Sequence, residues 1–76
     1  MNKGIIVFNP EIERWMFAGI NDVFVGLHCG EHLEIKLFGR YRPCRLEYGE
    51  DWYVIFKDGA FELMRSQTYT VNYHWF

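Results

Sequence analysis

Apolar and polar positions alternate along most of this chain with a period of two, the pattern of strands that press one face against a core. In the middle, Leu33, Ile35 and Leu37 face one way and Glu34, Lys36 and Phe38 the other. A tight turn at Gly39-Arg40 is expected to send the chain back as "YRPCRLEY", with Cys44, Leu46 and Tyr48 opposite Arg45 and Glu47. Gly49 to Asp51 turns it again into "WYVIFK", where Trp52, Val54 and Phe56 oppose Tyr53 and Ile55. These three strands read as a meander. Pro43 lacks a backbone donor, so its strand is expected at an edge or bulged at that point.

Upstream, "GIIVFNP" is a β-branched and aromatic run stopped by Asn9-Pro10, and "ERWMFAG" follows, so residues 4–18 read as a hairpin turning at "NPEI". A further turn at Asn21-Asp22 leads to a short strand, Val23 to Val25. "DGAFELMRSQ" breaks the alternation. Gly59 ends the strand before it, and Phe61, Leu63 and Met64 are placed to seat one helical or 3₁₀ turn. The chain closes on "TYTVNYHWF", with Tyr69, Val71, Tyr73 and Trp75 opposite Thr68, Thr70, Asn72 and His74. No window of helical length carries a 3.6-residue period, so no amphipathic helix is expected.

The expected fold is therefore all-β: one small domain over residues 1–76, five to seven short strands, and one helical turn before the last strand. An SH3-like β-barrel fits best. An OB-type barrel is second, because no segment is long enough for its usual helix. Closure has a physical motive, since strands this apolar would otherwise offer open edges to other molecules.

Composition sharpens the picture in one respect. Of the 76 residues half are apolar and 20% aromatic, with seven Phe, five Tyr and three Trp. So short a chain needs several of these rings for its core and cannot enclose them all, and the surplus rings are the best hint of a binding face. Eight Lys and Arg against ten Asp and Glu exclude a general electrostatic grip on nucleic acid. No apolar run approaches a membrane span or a signal-peptide core, so a cytosolic protein with no membrane partner is expected.

The densest chemistry lies in "GLHCGEHLEI", Gly26 to Ile35. Cys29 and His32 have C-x-x-H spacing, and Cys44 or His74 would have to complete a tetrahedral zinc set. Structural zinc sites present two tight ligand pairs and this chain has one, so Cys29, His32 and Cys44 are weak metal candidates and no metal is expected. A turn explains the stretch better, with Gly26 and Gly30 supplying unusual backbone angles. Nucleophilic catalysis through Cys29 with His28 or His32 would need a walled cleft, for which a small barrel has little room. The glycines are not followed by the Lys and Ser or Thr of a phosphate loop, and no cofactor is expected. The two cysteines read as small thiols of a reducing compartment rather than a disulfide framework.

Arg40, Arg42 and Arg45 form the one dense basic cluster, with Tyr41 among them and Tyr48, Trp52 and Tyr53 on the next strand. Arginines beside aromatic rings on a β-surface bind single-stranded nucleic acid or anionic small molecules. Glu47, Glu50 and Asp51 lie near enough in sequence to neutralise them by pairing. Tyr73, Trp75 and Phe76 are the other candidate anchor, for a protein partner or a homodimer, and Trp15 is open to either surface.

Taken together, "GIIVFNPEIERW", the "GLHCGE" turn, the G-R-Y-x-P-x-R-L-E hairpin and "DWY" resemble a family of small uncharacterised bacterial proteins recurrent in phages and integrative mobile elements and catalogued as a domain of unknown function. The resemblance spans most of the chain. It implies a small β-barrel carried as mobile-element cargo, and it implies no activity. The function expected is non-enzymatic: an accessory protein that docks on a host or element-encoded macromolecule through Arg40, Tyr41, Arg42, Arg45, Trp52, Tyr53 and Trp75, a counter-defence inhibitor being one such role. A protein is the first expected partner. Single-stranded nucleic acid and an anionic nucleotide-like ligand are the alternatives.

Overall fold

The computed structural model describes residues 2–20 and 22–74. Its eight strands are β1 (Asn2–Asn9), β2 (Arg14–Gly19), β3 (Phe24–Gly26), β4 (His32–Leu37), β5 (Arg40–Tyr48), β6 (Trp52–Phe56), β7 (Gly59–Glu62) and β8 (Tyr69–Tyr73). They form one antiparallel sheet in the order β3-β2-β1-β8-β4-β5-β6-β7. No helix occurs among the described residues, and none is long and apolar enough to cross a membrane. The hairpin at 4–18 and the β4–β5–β6 meander stand as expected. β8, last in sequence, lies between β1 and β4 and joins these two units.

The period-two alternation sets what is buried. Ile6 pairs with Phe17, Leu33 with both Cys44 and Tyr73, Ile35 with Val71, and Leu46 with Val54. All of these belong to one buried cluster with Trp15, Leu27, Trp52, Phe56 and Leu63. Trp15 and Tyr73 are therefore core, and neither joins a candidate surface. Gly4 faces Gly19 across β1 and β2, and the Phe17 ring lies against both. A Cβ on Gly4 would stand 2.3 Å from the Ala18 carbonyl oxygen and 2.9 Å from that ring, so only glycine fits.

Four expectations are corrected. The closed SH3-like barrel of five to seven strands is instead an open eight-stranded sheet, with β3 and β7 as free edges. No ladder joins these two strands, and side chains bridge the gap instead. Trp52 Nε1 donates to the Glu13 carbonyl oxygen at 3.2 Å, and the Arg65 guanidinium lies 4.4 Å from the Phe8 ring centroid. The expected helical turn before the last strand is β7, because Phe61 pairs with Val54 and Leu63 keeps the alternation by bonding to the Trp52 carbonyl. The β4–β5 turn lies at Phe38-Gly39, with Arg40 already paired to Leu37.

Pro43 sits in a central strand, neither edge nor bulge. Leu46 exchanges backbone bonds with Gly30 and Glu31 on the β4 side. By alternation the Pro43 nitrogen points toward β6, past the last rung of that ladder, Arg45–Ile55. No ladder bond is lost there.

Candidate interaction surface

Leu37 and Arg40 form the last rung between β4 and β5, which leaves a two-residue loop. Such loops match the twist of the strands with positive φ at the first residue, and in the type I′ form at both. Phe38 is positive at 52° and Gly39 at 79°. Glycine adopts this region freely, whereas an ordinary L-residue is strained there by about 1–2 kcal/mol. The Phe38 ring recovers nothing from the core, because its exposure is 100%. A locally unfavourable residue with no packing return is a candidate for a functional position.

Cationic side chains lie on the strands behind the turn. Lys3 Nζ and Lys36 Nζ stand 5.9 Å and 5.7 Å from the Tyr41 ring centroid, from β1 and β4 respectively. Arg42 stacks 4.5 Å from the Phe56 ring and pairs with Asp58 at 2.6 Å. Lys3, Lys36 and Arg40 make no ion pair among the described residues. A groove of about 530 Å³ runs between Phe38, Arg40, Tyr41, Arg42 and Asp58. The exposed ring thus adjoins a groove that holds Arg40 and the Arg42–Asp58 pair.

The expected Arg and aromatic surface is divided by this geometry. Arg40, Tyr41 and Arg42 belong to the hairpin tip. Arg45 lies further along β5, paired with Glu47 at 2.6 Å. Tyr53 is half-buried between Glu47 and Glu62 in the ladder. Trp52 faces the other side of the sheet from Tyr41 and Tyr53, and at 4% exposed it offers no stacking platform. Trp75 lies outside the described residues. Phe38 was missed because continuing the β4 alternation one residue too far made it an ordinary outward strand position. The signal was present: two alternating strands separated by two residues place Phe38 at the first turn position.

The "GLHCGE" stretch is a turn, and a firmly fastened one. Gly30 takes φ of 89° and donates to the Leu46 carbonyl at 2.8 Å, while Leu46 donates to the Glu31 carbonyl at 2.9 Å. The Glu31 carboxylate accepts the His28 backbone N–H at 2.6 Å and the Tyr73 hydroxyl with its other oxygen. Arg14 donates to the Leu27 carbonyl at 3.2 Å and reaches His28 Nδ1 at 3.1 Å. Burial, with the Glu31 carboxylate beside it, pushes the Tyr73 hydroxyl above its ordinary range.

Of the weak metal candidates, His32 and Cys44 line one groove with His74, and Cys29 lies apart from them. Cys29 is exposed in a cleft with Ile12, Arg14, Tyr48 and Trp52. His32 pairs with Arg45 and Leu33 with Cys44, so adjacent positions send His32 outward and Cys44 into the core. Among the described residues no three His, Cys, Asp or Glu converge as a metal site. Burial also pushes the Cys44 thiol up to about 12.

Comparison with known proteins adds a family and a fold. A family model described as "Domain of unknown function (DUF5348)" matches residues 4–73. The crystal structure of a protein from Ruminococcus gnavus is similar at a TM-score of 0.74 and 28% identity, covering 92% of this chain and 97% of that one. No curated protein matches.

Proposed function

The chain belongs to the DUF5348 family, a domain of unknown function, and we propose that it is a non-catalytic binding protein that docks on a macromolecular partner through the β4–β5 hairpin tip. The observation that carries this reading is Phe38, fully exposed and held at a φ of 52°. An aromatic ring offered at structural cost, with Arg40 and Tyr41 beside it, has the make-up of an interface hot spot. The proposed setting is a phage or integrative mobile element, where docking would work by occupancy, as a counter-defence inhibitor does. That setting is supported by the resemblance of the "GLHCGE" and hairpin motifs alone.

A protein partner is favoured over single-stranded nucleic acid. Arg42 and Arg45 are each engaged by a carboxylate at 2.6 Å, and Trp52 is withdrawn into the core. Non-catalysis is supported by the opening loop, where His28 Nδ1 is turned to Arg14. The test is affinity capture from host lysate with and without nuclease, using the natural chain beside Phe38→Asn and Arg40→Glu. A protein that survives nuclease and is lost with both substitutions is the expected result. Nuclease-sensitive capture, or capture indifferent to both substitutions, would overturn the proposal.

A further inference from the structure

Apart from the hairpin tip, one end of the sheet, the three-residue β3, has neither charge nor proline to guard its edge. On β3, Val23 accepts from the Gly19 N–H at 2.8 Å and Leu27 donates to the Trp15 carbonyl at 2.9 Å. Odd-numbered residues of this strand therefore turn their backbone groups toward β2. Phe24 and Gly26 turn theirs outward, where no strand follows. Natural edges are guarded by charge, proline or bulges. The other edge, β7, carries Glu62 among its outward-bonding residues. "VFVG", by contrast, is uncharged. The adjoining outer face is apolar as well. Phe24, Ala18 and Ile5 occupy consecutive rungs of β3, β2 and β1, and Phe24 is 65% exposed.

We propose that β3 is a self-association edge, on which a second copy of this chain adds its own β3 antiparallel about a two-fold axis through Val25. The register is self-complementary. Phe24 falls opposite Gly26 of the second copy, and these residues, whose N–H and C=O groups both point outward, exchange paired backbone bonds on each side of the axis. Gly26 leaves room for the incoming ring, because a Cβ there would meet only the Met16 sulfur, at 3.6 Å. An aromatic ring laid over a strand glycine with a thioether beside it is a favourable cross-strand arrangement. Charge agrees with the same register. One rung further out, Asp22 approaches His28 of the second copy, whose ring is in contact with the Arg14 guanidinium.

The contact is small. Phe24 brings about 100–160 Å² per copy on the usual aromatic scale, and three-residue strands add little beyond it. The total falls below the ~1,200 Å² of standard interfaces, so the dimer is reversible rather than obligate.

The experiment is sedimentation velocity of the full chain from about 10 µM to about 1 mM, a range that brackets a weak dimer. It is run beside Phe24→Lys and beside a Val25→Cys, Cys29→Ser double variant under mild oxidation. The natural chain is expected to shift from monomer to dimer and Phe24→Lys to stay monomeric, while circular dichroism shows both folded. The two-fold axis places the Val25 Cα atoms about 4.5 Å apart, within disulfide reach, so the double variant should cross-link to a covalent dimer. A monomer throughout, a dimer that survives Phe24→Lys, or a double variant that fails to cross-link would overturn the proposal. These readouts need no lysate partner, so they are independent of the hairpin reading.

Discussion

The indole Nε1 of Trp52 donates to the carbonyl oxygen of Glu13 at 3.2 Å, joining β6 to the β1–β2 turn where no ladder connects them. The bond explains how an open sheet encloses its core. No ladder joins β3 to β7, and Trp52 on Glu13, with Arg65 on Phe8, ties the far end of the sheet to the N-terminal hairpin.

Replacing Trp52 by Phe keeps a ring in the buried position and removes the donor. A single net hydrogen bond is worth about 0.5–1.5 kcal/mol, and the smaller ring loses some packing besides. Urea denaturation is expected to show a loss of about 1–2 kcal/mol with the β-sheet spectrum unchanged. A Trp52→Phe protein as stable as the natural chain would mean that the seam is held elsewhere.

Phe38→Asn should act in the opposite direction. Asparagine tolerates the left-handed region that the turn demands, so relief of strain is worth about 1 kcal/mol. For a chain of this size that corresponds to a rise of about 4–8 °C in Tm. Differential scanning calorimetry reads it directly, and a fall in Tm would show that the ring supports the fold.

Gly4→Ala tests the slot under Phe17. A methyl group 2.3 Å from the Ala18 carbonyl oxygen must displace backbone, at an expected cost of about 1–3 kcal/mol. Gly49→Ala, whose Cβ would meet only Tyr53 at 3.5 Å, should change the urea midpoint far less.

Stability should decline in alkali. Burial lifts the Cys44 thiol from 9.0 to about 12, and burial with Glu31 lifts the Tyr73 hydroxyl above 10.0. The unfolded chain releases these protons first, so above pH 9 the native state holds more of them and each pH unit favours unfolding. The Cys44 contribution is complete below about pH 9 and gone by about pH 12, and that of Tyr73 is lost only above its unfolded value of 10.0. Urea midpoints measured from neutrality upward should fall from about pH 9, less steeply in Cys44→Ala whatever that variant's starting stability.

The two thiols should differ in reactivity. Cys29 is exposed and Cys44 buried, and only the thiolate attacks an alkylating agent. Iodoacetamide on the folded protein, followed by peptide mass spectrometry, is expected to mark Cys29 and spare Cys44 until denaturant is added. Equal labelling of both would contradict the burial of Cys44.

The hairpin at residues 4–18, the meander and the inward set Leu33, Ile35, Leu46, Val54 and Val71 were legible because a strand's side-chain period is two, and a chain cannot bury one face without showing that period. The site was legible in part. Arg40, Tyr41 and Arg42 stand together at the tip, whereas Arg45 and Trp52 were grouped with them from closeness in sequence. Neighbours along a strand point to opposite faces, and the carboxylates of Glu47 and Asp58 decide which arginines remain free. β7 was hidden because its four residues hold one inward ring, Phe61, too little to display a period.

Local sequence alone determined the strands other than β7, the faces they bury and the turns at "NPEI" and "GED", because these depend on pleat geometry and on what Gly, Pro, Asn and Asp permit the backbone. Tertiary structure alone decided that β8 inserts between β1 and β4, that the sheet stays open, and that Trp52 turns inward. Those outcomes rest on pairings between residues up to 71 positions apart, such as Asn2 with Tyr73. Such pairings are settled by competition among long-range contacts over the whole core, and no short window of sequence contains that competition.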